Sequence, residues 1–277
     1  MKKTRILVES AVMIALATVL SLIKPVDLPY GGSVTLASMF PIILISYRYG
    51  VGRGLAAGLV YGIIQQLLGI NTLSYVSTPQ SIIAVILLDY IVAFLVCGLG
   101  GMFRKTVKNQ AAALTLGSIV VCILRYICHV ISGATVWAGI SIPTAAALGY
   151  SFIYNATYML PETIVLVIVA CYVGSVIDLS TPLPTRLQKG KTTVAYSLLG
   201  ALSGVLAAAA LICDVVAVFS KLQNAETGEF AITGFSSVNW TFVIIVTAAA
   251  AVICAALLAV RAKCFKSNGG AHTETNA

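Results

Sequence analysis

Long apolar segments recur along the whole chain and alternate with short polar segments. Eight of them are predicted to cross a membrane as helices, because about 20 apolar residues rising 1.5 Å each are needed to span about 30 Å of hydrocarbon. The second segment is the shortest of the eight. The predicted spans cover residues 6–23, 34–49, 52–70, 81–102, 112–135, 149–177, 192–219 and 239–260. The pattern therefore predicts an all-α polytopic membrane protein.

The composition of the 277 residues excludes a water-soluble enzyme. Hydrophobic residues make up 59% and charged residues 9%, whereas about a quarter of the residues of a soluble domain are charged. The formal net charge is +8, but the bases lie between the apolar segments and form no continuous nucleic-acid surface. We expect the lipid bilayer as a partner and no nucleic acid.

The distribution of Lys and Arg predicts the orientation in the membrane. With a cytoplasmic N-terminus, 14 of the 17 bases fall in cytoplasmic segments, as the positive-inside rule requires. Lys24 and Lys221 fall in outer loops, and Arg125 lies within a span. We therefore expect a multi-pass protein of the cell membrane with both termini in the cytoplasm.

The composition changes near residue 180. Residues 181–191 contain Pro182, Pro184 and several bases, which is typical of a linker at the cytoplasmic face. The last two spans are rich in alanine and are followed by a polar tail. The chain is predicted to consist of a six-span core (1–180), this linker, and a two-span C-terminal appendage (192–277).

Apart from Arg48 and Arg53 at span ends, five acidic, basic or histidine residues lie inside the predicted core spans, where each costs about 2.5–3.5 kcal/mol to insert. Asp89 lies about eight residues, or roughly 12 Å, from the outer end of its span, and His129 lies at a similar depth. Arg125 is one turn deeper than His129 on the same helix face. The set consists of Glu9, Asp89, Arg125, His129 and Glu162.

Uncharged polar and aromatic residues collect at the same depth, whereas the inner third is mostly aliphatic. They are Tyr61, Trp137, Tyr150 and Asn155 in or beside the spans, with Tyr30, Asn71 and Tyr75 in outer loops. This arrangement predicts a pocket open to the outside for a compact, flat ligand, and a cation would gain from the carboxylate and from cation–π contacts. A second interpretation remains open, in which the aromatic residues form an interfacial belt and the ionisable residues pair structurally.

Motifs for catalysis or metal binding are missing from the sequence. The seven cysteines form no C-x-x-C pair, and there is no H-E-x-x-H. Ser132 follows His129 by three residues, but a hydrolase is disfavoured because no G-x-S-x-G is present. We expect no enzymatic activity, no metal and no cofactor.

Two stripes of small residues predict close helix packing. Glycines repeat every four residues from Gly50 to Gly62, and Ala11 and Ala15 form a shorter stripe on the first span. Such stripes mostly serve packing within one chain. If the alanine stripe faces lipid, it is a docking surface for another membrane subunit.

Four stretches of the chain together resemble one family. They are Gly31-Gly32-Ser33-Val34-Thr35-Leu36, Leu87-Leu88-Asp89-Tyr90-Ile91-Val92-Ala93-Phe94, Arg125-Tyr126-Ile127-Cys128-His129 with Trp137, and Tyr150 through Tyr154-Asn155 to Leu160-Pro161-Glu162. Over residues 5–180 the chain resembles the thiamine-specific substrate-binding subunits of energy-coupling factor (ECF) transporters.

That resemblance implies a six-helix core that captures thiamine from the outer face. It also implies docking, through Ala11 and Ala15, on a membrane scaffold subunit that carries two cytoplasmic ATPases. Asp89 would bind the aminopyrimidine, and Trp137 would stack on the ring. The remaining implied contacts are His129, Tyr150 and Asn155 as polar partners, with Tyr90 and Tyr61 lining the site.

The chain departs from some members of that family at three points. Asp89 stands where they have glutamate, Tyr61 stands where they have tryptophan, and the two-span appendage is additional. Two alternatives therefore stay open. One is the same architecture with another flat vitamin or a thiamine precursor, and the other is a stand-alone proton-coupled carrier that uses Asp89, His129 and Glu162 as a relay.

Overall fold

The computed structural model describes residues 2–28, 31–138, 140, 147–187, 194–222 and 232–270. Tyr30, one of the predicted pocket residues, lies outside the described residues, as do parts of the predicted linker and tail. The chain divides into two compact units, residues 1–186 and 187–277. This boundary falls within the predicted linker, while the separate roles of the two units stay a prediction.

Helices form nearly all of the first unit. The helices are α1 (Lys2–Leu22), α2 (Phe40–Tyr49), α3 (Val51–Leu68), α4 (Pro79–Arg104), α5 (Gln110–Thr135) and α6 (Ala147–Val176). Two short antiparallel pairs of strands accompany them: β1 (Val26–Asp27) with β2 (Ser33–Val34), and β3 (Ile177–Asp178) with β4 (Thr185–Arg186). A 3₁₀ segment, Ile70–Tyr75, joins α3 to α4.

Two long helices form the second unit, α7 (Val194–Leu222) and α8 (Trp240–Gly270). They contact each other, and Thr247 donates a hydrogen bond of 2.6 Å to Asp214 across the pair. Within the described residues, six helices are long and apolar enough to cross a membrane, namely α1, α3, α4, α5, α6 and α8. The prediction of an all-α polytopic membrane protein is confirmed.

The second predicted span, residues 34–49, differs from the observed structure. Its helical part is limited to the ten residues of α2, which cover about 15 Å at 1.5 Å per residue. The first nine of these ten residues are buried. Because neighbouring helices rather than lipid surround α2, its length is not set by the thickness of the bilayer.

The glycine stripe brings α3 against α4 at backbone distance, as predicted. A Cβ atom at Gly54 would lie 2.6 Å from the Gly98 carbonyl oxygen, and one at Gly58 would lie 2.7 Å from that of Phe94. Gly50 has open space around it, so the packed stripe begins at Gly54. Any larger residue would push α4 away from α3, and α4 carries Asp89.

The winding of α4 changes where Asp89 lies. Pro79–Val85 is α-helical, whereas Ile86–Val92 is π-helical and contains both Asp89 and Tyr90. A π-turn inserts an extra residue into the helix and rotates the following side chains relative to regular α-helical positions, and it is frequent at functional sites. The direction of these two side chains therefore depends on a feature that helical periodicity does not predict.

One end of the first unit is basic, and an ion pair there joins α1 to α2. Arg48 on α2 pairs with Glu9 on α1 at 2.6 Å and donates to the Pro182 carbonyl oxygen at 2.9 Å. Gln110 on α5 donates to the carbonyl oxygens of Gly174 and Ile177. The ion pair with Arg48 explains why Glu9 is tolerated within a predicted span.

Candidate functional site

A cavity of about 480 Å³ opens at the end of the first unit opposite the basic end. Its wall is formed by the last turns of α1 and α3, the middle of α4, the second half of α5 and the first half of α6, with β1, β2 and Ile70–Tyr75 at the mouth. Ligand cavities commonly measure about 300–1,000 Å³. The space is sufficient for a vitamin-sized molecule.

Asp89 and His129 meet in the wall of this cavity. His129 Nδ1 lies 3.0 Å from Asp89 Oδ1, and both residues line the cavity. The carboxylate also accepts hydrogen bonds from Ser132 Oγ at 2.6 Å and from Trp137 Nε1 at 3.1 Å, both at Oδ2. The depth calculation from the sequence placed Asp89 and His129 together correctly.

The imidazole of His129 presents its other nitrogen without a partner. A neutral imidazole that donates from Nδ1 to a carboxylate has an acceptor at Nε2. His129 Nε2 is buried and has no hydrogen-bond partner among the residues that the structure describes. Since His129 lines the cavity and buried polar atoms in folded proteins are almost always paired, this nitrogen is placed to accept a hydrogen bond from a ligand there.

Aromatic rings form one side of the cavity. Trp137 is 8% exposed, and its ring centroid lies 6.3 Å from that of Tyr75. The hydroxyl of Tyr90 lies 3.0 Å from Thr72 Oγ1 and donates to the Gly69 carbonyl oxygen at 3.3 Å. A flat ligand can therefore pack against Trp137 while Tyr90 holds the loop after α3 in place.

The opposite side of the cavity comes from α6. Asn155 donates from its amide nitrogen to the His129 carbonyl oxygen at 3.2 Å, and it accepts a hydrogen bond from the Tyr158 hydroxyl. The ring of Tyr158 lies 6.2 Å from the imidazole of His129 and 5.8 Å from the ring of Tyr154. These contacts hold α5 and α6 together at the height of His129.

A buried ion pair forms the floor of the cavity. Arg125 Nη1 lies 3.2 Å from Glu162 Oε2, and Thr35 donates to Glu162 Oε1 at 2.6 Å. The guanidinium also lies 4.6 Å from the centroid of the Phe94 ring. For Arg125 and Glu162, this geometry agrees with the interpretation that the ionisable residues pair structurally.

Two predicted site residues, both tyrosines, differ from the other five in their position. Tyr61 is fully buried, donates to the Ala17 carbonyl oxygen at 3.4 Å, and packs edge-on against Phe94 with ring centroids 5.1 Å apart. Tyr150 packs on the apolar cluster around Trp137. Neither is among the described residues that line the cavity, whereas Asp89, Tyr90, His129, Trp137 and Asn155 are.

Several residues of the cavity were not predicted from the sequence as ligand contacts. Lys24 and Asp27 form an exposed ion pair of 3.4 Å near the mouth, and Gln65 and Thr72 reach the wall from α3 and the following loop. No sequence signal marked these residues, because isolated polar residues at span ends are common. Ser132 had a signal, its spacing of three from His129, but the spacing alone did not reveal its partner.

Comparisons with known proteins relate this chain to thiamine transporters. Residues 7–178 match the family model described as thiamine transporter protein. The thiamine transporter ThiT of Bacillus subtilis (strain 168) is 39% identical over 176 residues, which cover 60% of this chain and 88% of that protein. A solved structure of ThiT from Listeria monocytogenes matches with a TM-score of 0.52 and 26% identity, covering 63% of this chain and 95% of that one.

The match covers most of the first unit, including all the predicted site residues, and ends before the second unit. Transport rather than catalysis is the activity of the matched family, in agreement with the expectation that the chain is not an enzyme. The protein belongs to the thiamine transporter family, as a multi-pass membrane protein with a helical extension at its C-terminus.

Proposed function

We propose that the chain binds thiamine in the cavity of its first unit and serves as the substrate-binding subunit of a vitamin uptake system. The observation that carries this proposal is the unpartnered Nε2 of His129, which is buried beside the Asp89 carboxylate in a wall of that cavity. An acceptor nitrogen next to a carboxylate suits a ligand with N–H donors, such as the aminopyrimidine of thiamine.

The charges around the cavity favour a ligand with a single positive charge. Among the described residues, three acids line it, Asp27, Asp89 and Glu162, against two bases, Lys24 and Arg125. Since Glu162 is paired with Arg125 and Asp27 with Lys24, the charge of Asp89 is the one without a cationic partner when His129 is neutral. The thiazolium of thiamine supplies such a charge, and Trp137 offers a ring face for cation–π contact.

Each predicted site residue receives a role in this proposal. Asp89 accepts from the aminopyrimidine, Trp137 stacks on the ligand, and His129, Asn155 and Tyr90 complete the wall. Tyr61 supports Phe94, on which its ring packs edge-on, and Tyr150 supports the apolar cluster that contains Trp137. This differs from the direct ligand contacts that the resemblance implied for the two tyrosines.

We infer that the cavity opens to the outside and that the chain termini lie in the cytoplasm. The bases Arg48, Arg53 and Arg104 lie at the end of the first unit opposite the cavity, together with the N-terminal bases of α1. By the positive-inside rule this basic end faces the cytoplasm. The bases after Val260 on α8 favour the same side for the C-terminal end.

Calorimetry of the purified chain in detergent tests the choice of ligand. Thiamine is expected to bind with one site per chain, whereas riboflavin, biotin and hydroxymethylpyrimidine bind at least tenfold more weakly. Tighter binding of any of these three than of thiamine would show that the family architecture serves another vitamin in this chain.

Fluorescence of Trp137 is expected to be quenched when thiamine binds. The chain has two tryptophans, and the second, Trp240, lies on α8 in the other unit. A stacked ring therefore quenches the Trp137 part of the emission, while Trp240 gives a constant background. Trp137→Phe should remove the ligand-dependent change and Trp240→Phe should leave it. Quenching that survives Trp137→Phe contradicts the stacking role.

We further propose that α1 docks on the scaffold subunit of an ECF transporter with two cytoplasmic ATPases. Ala11 and Ala15 are both exposed on α1, so the small-residue stripe is open to a neighbouring membrane helix. The Ala15→Trp variant should lose ATP-dependent thiamine uptake in cells and retain thiamine binding in detergent. Leu16→Trp, on another exposed face of the same helix, is the matched control and should transport normally.

A transport assay on the chain alone distinguishes an ECF subunit from a proton-coupled carrier. Proteoliposomes that contain only this chain should take up no thiamine under a pH gradient. Uptake that follows the gradient without ATPases would favour the carrier and contradict docking.

A further inference from the structure

Ser132 lies directly behind the Asp89 carboxylate. Its side chain is fully buried, and it is not among the described residues that line the cavity. It donates a hydrogen bond of 2.6 Å to Asp89 Oδ2, the shortest of the three that this carboxylate receives from the described residues. The Ser132 hydroxyl therefore influences a ligand only through Asp89.

The carboxylate of Asp89 is held by two donors of one helix. His129 and Ser132 are three residues apart on α5 and so lie on the same face, one turn from each other. His129 holds Oδ1 and Ser132 holds Oδ2, which fixes the plane of the carboxylate as well as its position. Trp137 adds a third hydrogen bond at Oδ2.

The number of acceptor sites on Asp89 limits what a ligand can use. An ionised carboxylate offers about four lone-pair sites, two on each oxygen. The two hydrogen bonds at Oδ2 occupy that oxygen, and His129 occupies one site of Oδ1. One acceptor site at Oδ1 remains, and His129 offers a further acceptor at its unpartnered Nε2.

We propose that Ser132 is a positioning residue that sets the specificity of this site for ligands with an amino group at the Asp89 end. It keeps the Asp89 carboxylate turned so that its remaining acceptor site accepts an N–H donor and repels a carbonyl oxygen. This inference rests on the proposed function, because it concerns how the same cavity distinguishes thiamine from an oxo-substituted analogue.

Without Ser132, one of the bonds that fix the orientation of the Asp89 carboxylate is lost. A carboxylate that is less fixed can turn away from a carbonyl oxygen. The ratio of the affinities for amino-substituted and oxo-substituted ligands should therefore fall by a larger factor than either affinity alone.

The test compares the dissociation constants of thiamine and oxythiamine, in which the pyrimidine amino group is replaced by oxygen. Both are measured by calorimetry on the detergent-purified full chain. In Ser132→Ala the preference for thiamine over oxythiamine should fall about tenfold, the effect typical of a lost hydrogen bond to a charged group. Ser132→Cys, which retains a weaker S–H donor, should give an intermediate loss.

Ser118→Ala is the matched control. Ser118 is on the same helix, is also fully buried, and its hydroxyl has no hydrogen-bond partner in the part of the chain that the structure describes. This change should leave the preference between the two ligands unaltered. A merely structural role for Ser132 would weaken both ligands by the same factor, because it would disturb the fold and not the acceptor site.

The outcomes separate this inference from the proposed function. If the unmodified chain binds neither thiamine nor oxythiamine, the proposed function fails and the inference with it. If the unmodified chain prefers thiamine and Ser132→Ala retains that preference in full, the inference is overturned while the proposed function stands. An unchanged preference in both Ser132→Ala and Ser132→Cys likewise overturns the inference alone.

Discussion

Asp89→Asn is expected to weaken thiamine binding at least tenfold, or about 1.4 kcal/mol, with the fold intact. The change removes the one acidic charge at the cavity wall that has no cationic partner in the described residues when His129 is neutral. His129, Ser132 and Trp137 all donate hydrogen bonds to this side chain. The amide nitrogen of asparagine is itself a donor and cannot accept any of them. Calorimetry on the purified variant measures the loss.

Asp178→Asn is the control for the change in charge alone. Asp178 lies on β3, beyond the end of α6 and outside the cavity wall, where it accepts hydrogen bonds from Ser180. Asp178→Asn makes the same change of side chain and of charge as Asp89→Asn. Thiamine affinity should stay within about twofold, because salt screens distant surface charges. Equal losses in the two variants would refute a direct role of Asp89.

Arg125→Leu is expected to lower the free energy of unfolding by about 3–5 kcal/mol, because it leaves a buried carboxylate without its counter-ion. Arg125 is 5% exposed and Glu162 is 3% exposed, and they form the ion pair at the cavity floor. Among the described residues, Thr35 would then be the remaining hydrogen-bond donor to Glu162. Denaturant titration in mixed micelles without ligand measures this loss.

A double variant tests whether the loss of stability comes from the unpaired charge of Glu162. Arg125→Leu combined with Glu162→Leu should be more stable than Arg125→Leu alone, because replacing both members of a buried pair removes the uncompensated charge. Arg53→Leu is the matched control, since Arg53 is exposed at the basic end and its loss should change stability by about 0.5 kcal/mol or less. If the double variant is less stable than the single one, the floor is not held by this ion pair.

The sequence placed several residues of the cavity at one depth because insertion energies restrict where charges occur in a membrane. Counting residues from span ends placed Asp89 and His129 at one depth, and they lie 3.0 Å apart. The same counting put Trp137 and Asn155 at that height, and both line the cavity. Depth along a span follows from the chain itself, since the rise per residue of a helix is constant.

The direction of a side chain around its helix was harder to predict. Tyr61 has the right depth, but it points to the core behind Phe94. Asp89 lies in a π-helical turn, where the angular spacing of regular helices does not apply. The helix α2 is shorter than its predicted span because its surroundings are protein, and hydropathy cannot distinguish a buried apolar segment from one that faces lipid.

The sequence by itself determined that this chain is an all-α membrane protein, which residues lie at the depth of the site, and where the glycine stripe allows close packing. These properties depend on hydropathy, helical rise and residue size, all of which are local. The tertiary structure decided which donors hold the Asp89 carboxylate and that His129 Nε2 is left without a partner in the described residues. Hydrogen bonds between α4 and α5 join residues some 40 positions apart, and their geometry exists only once the helices have packed.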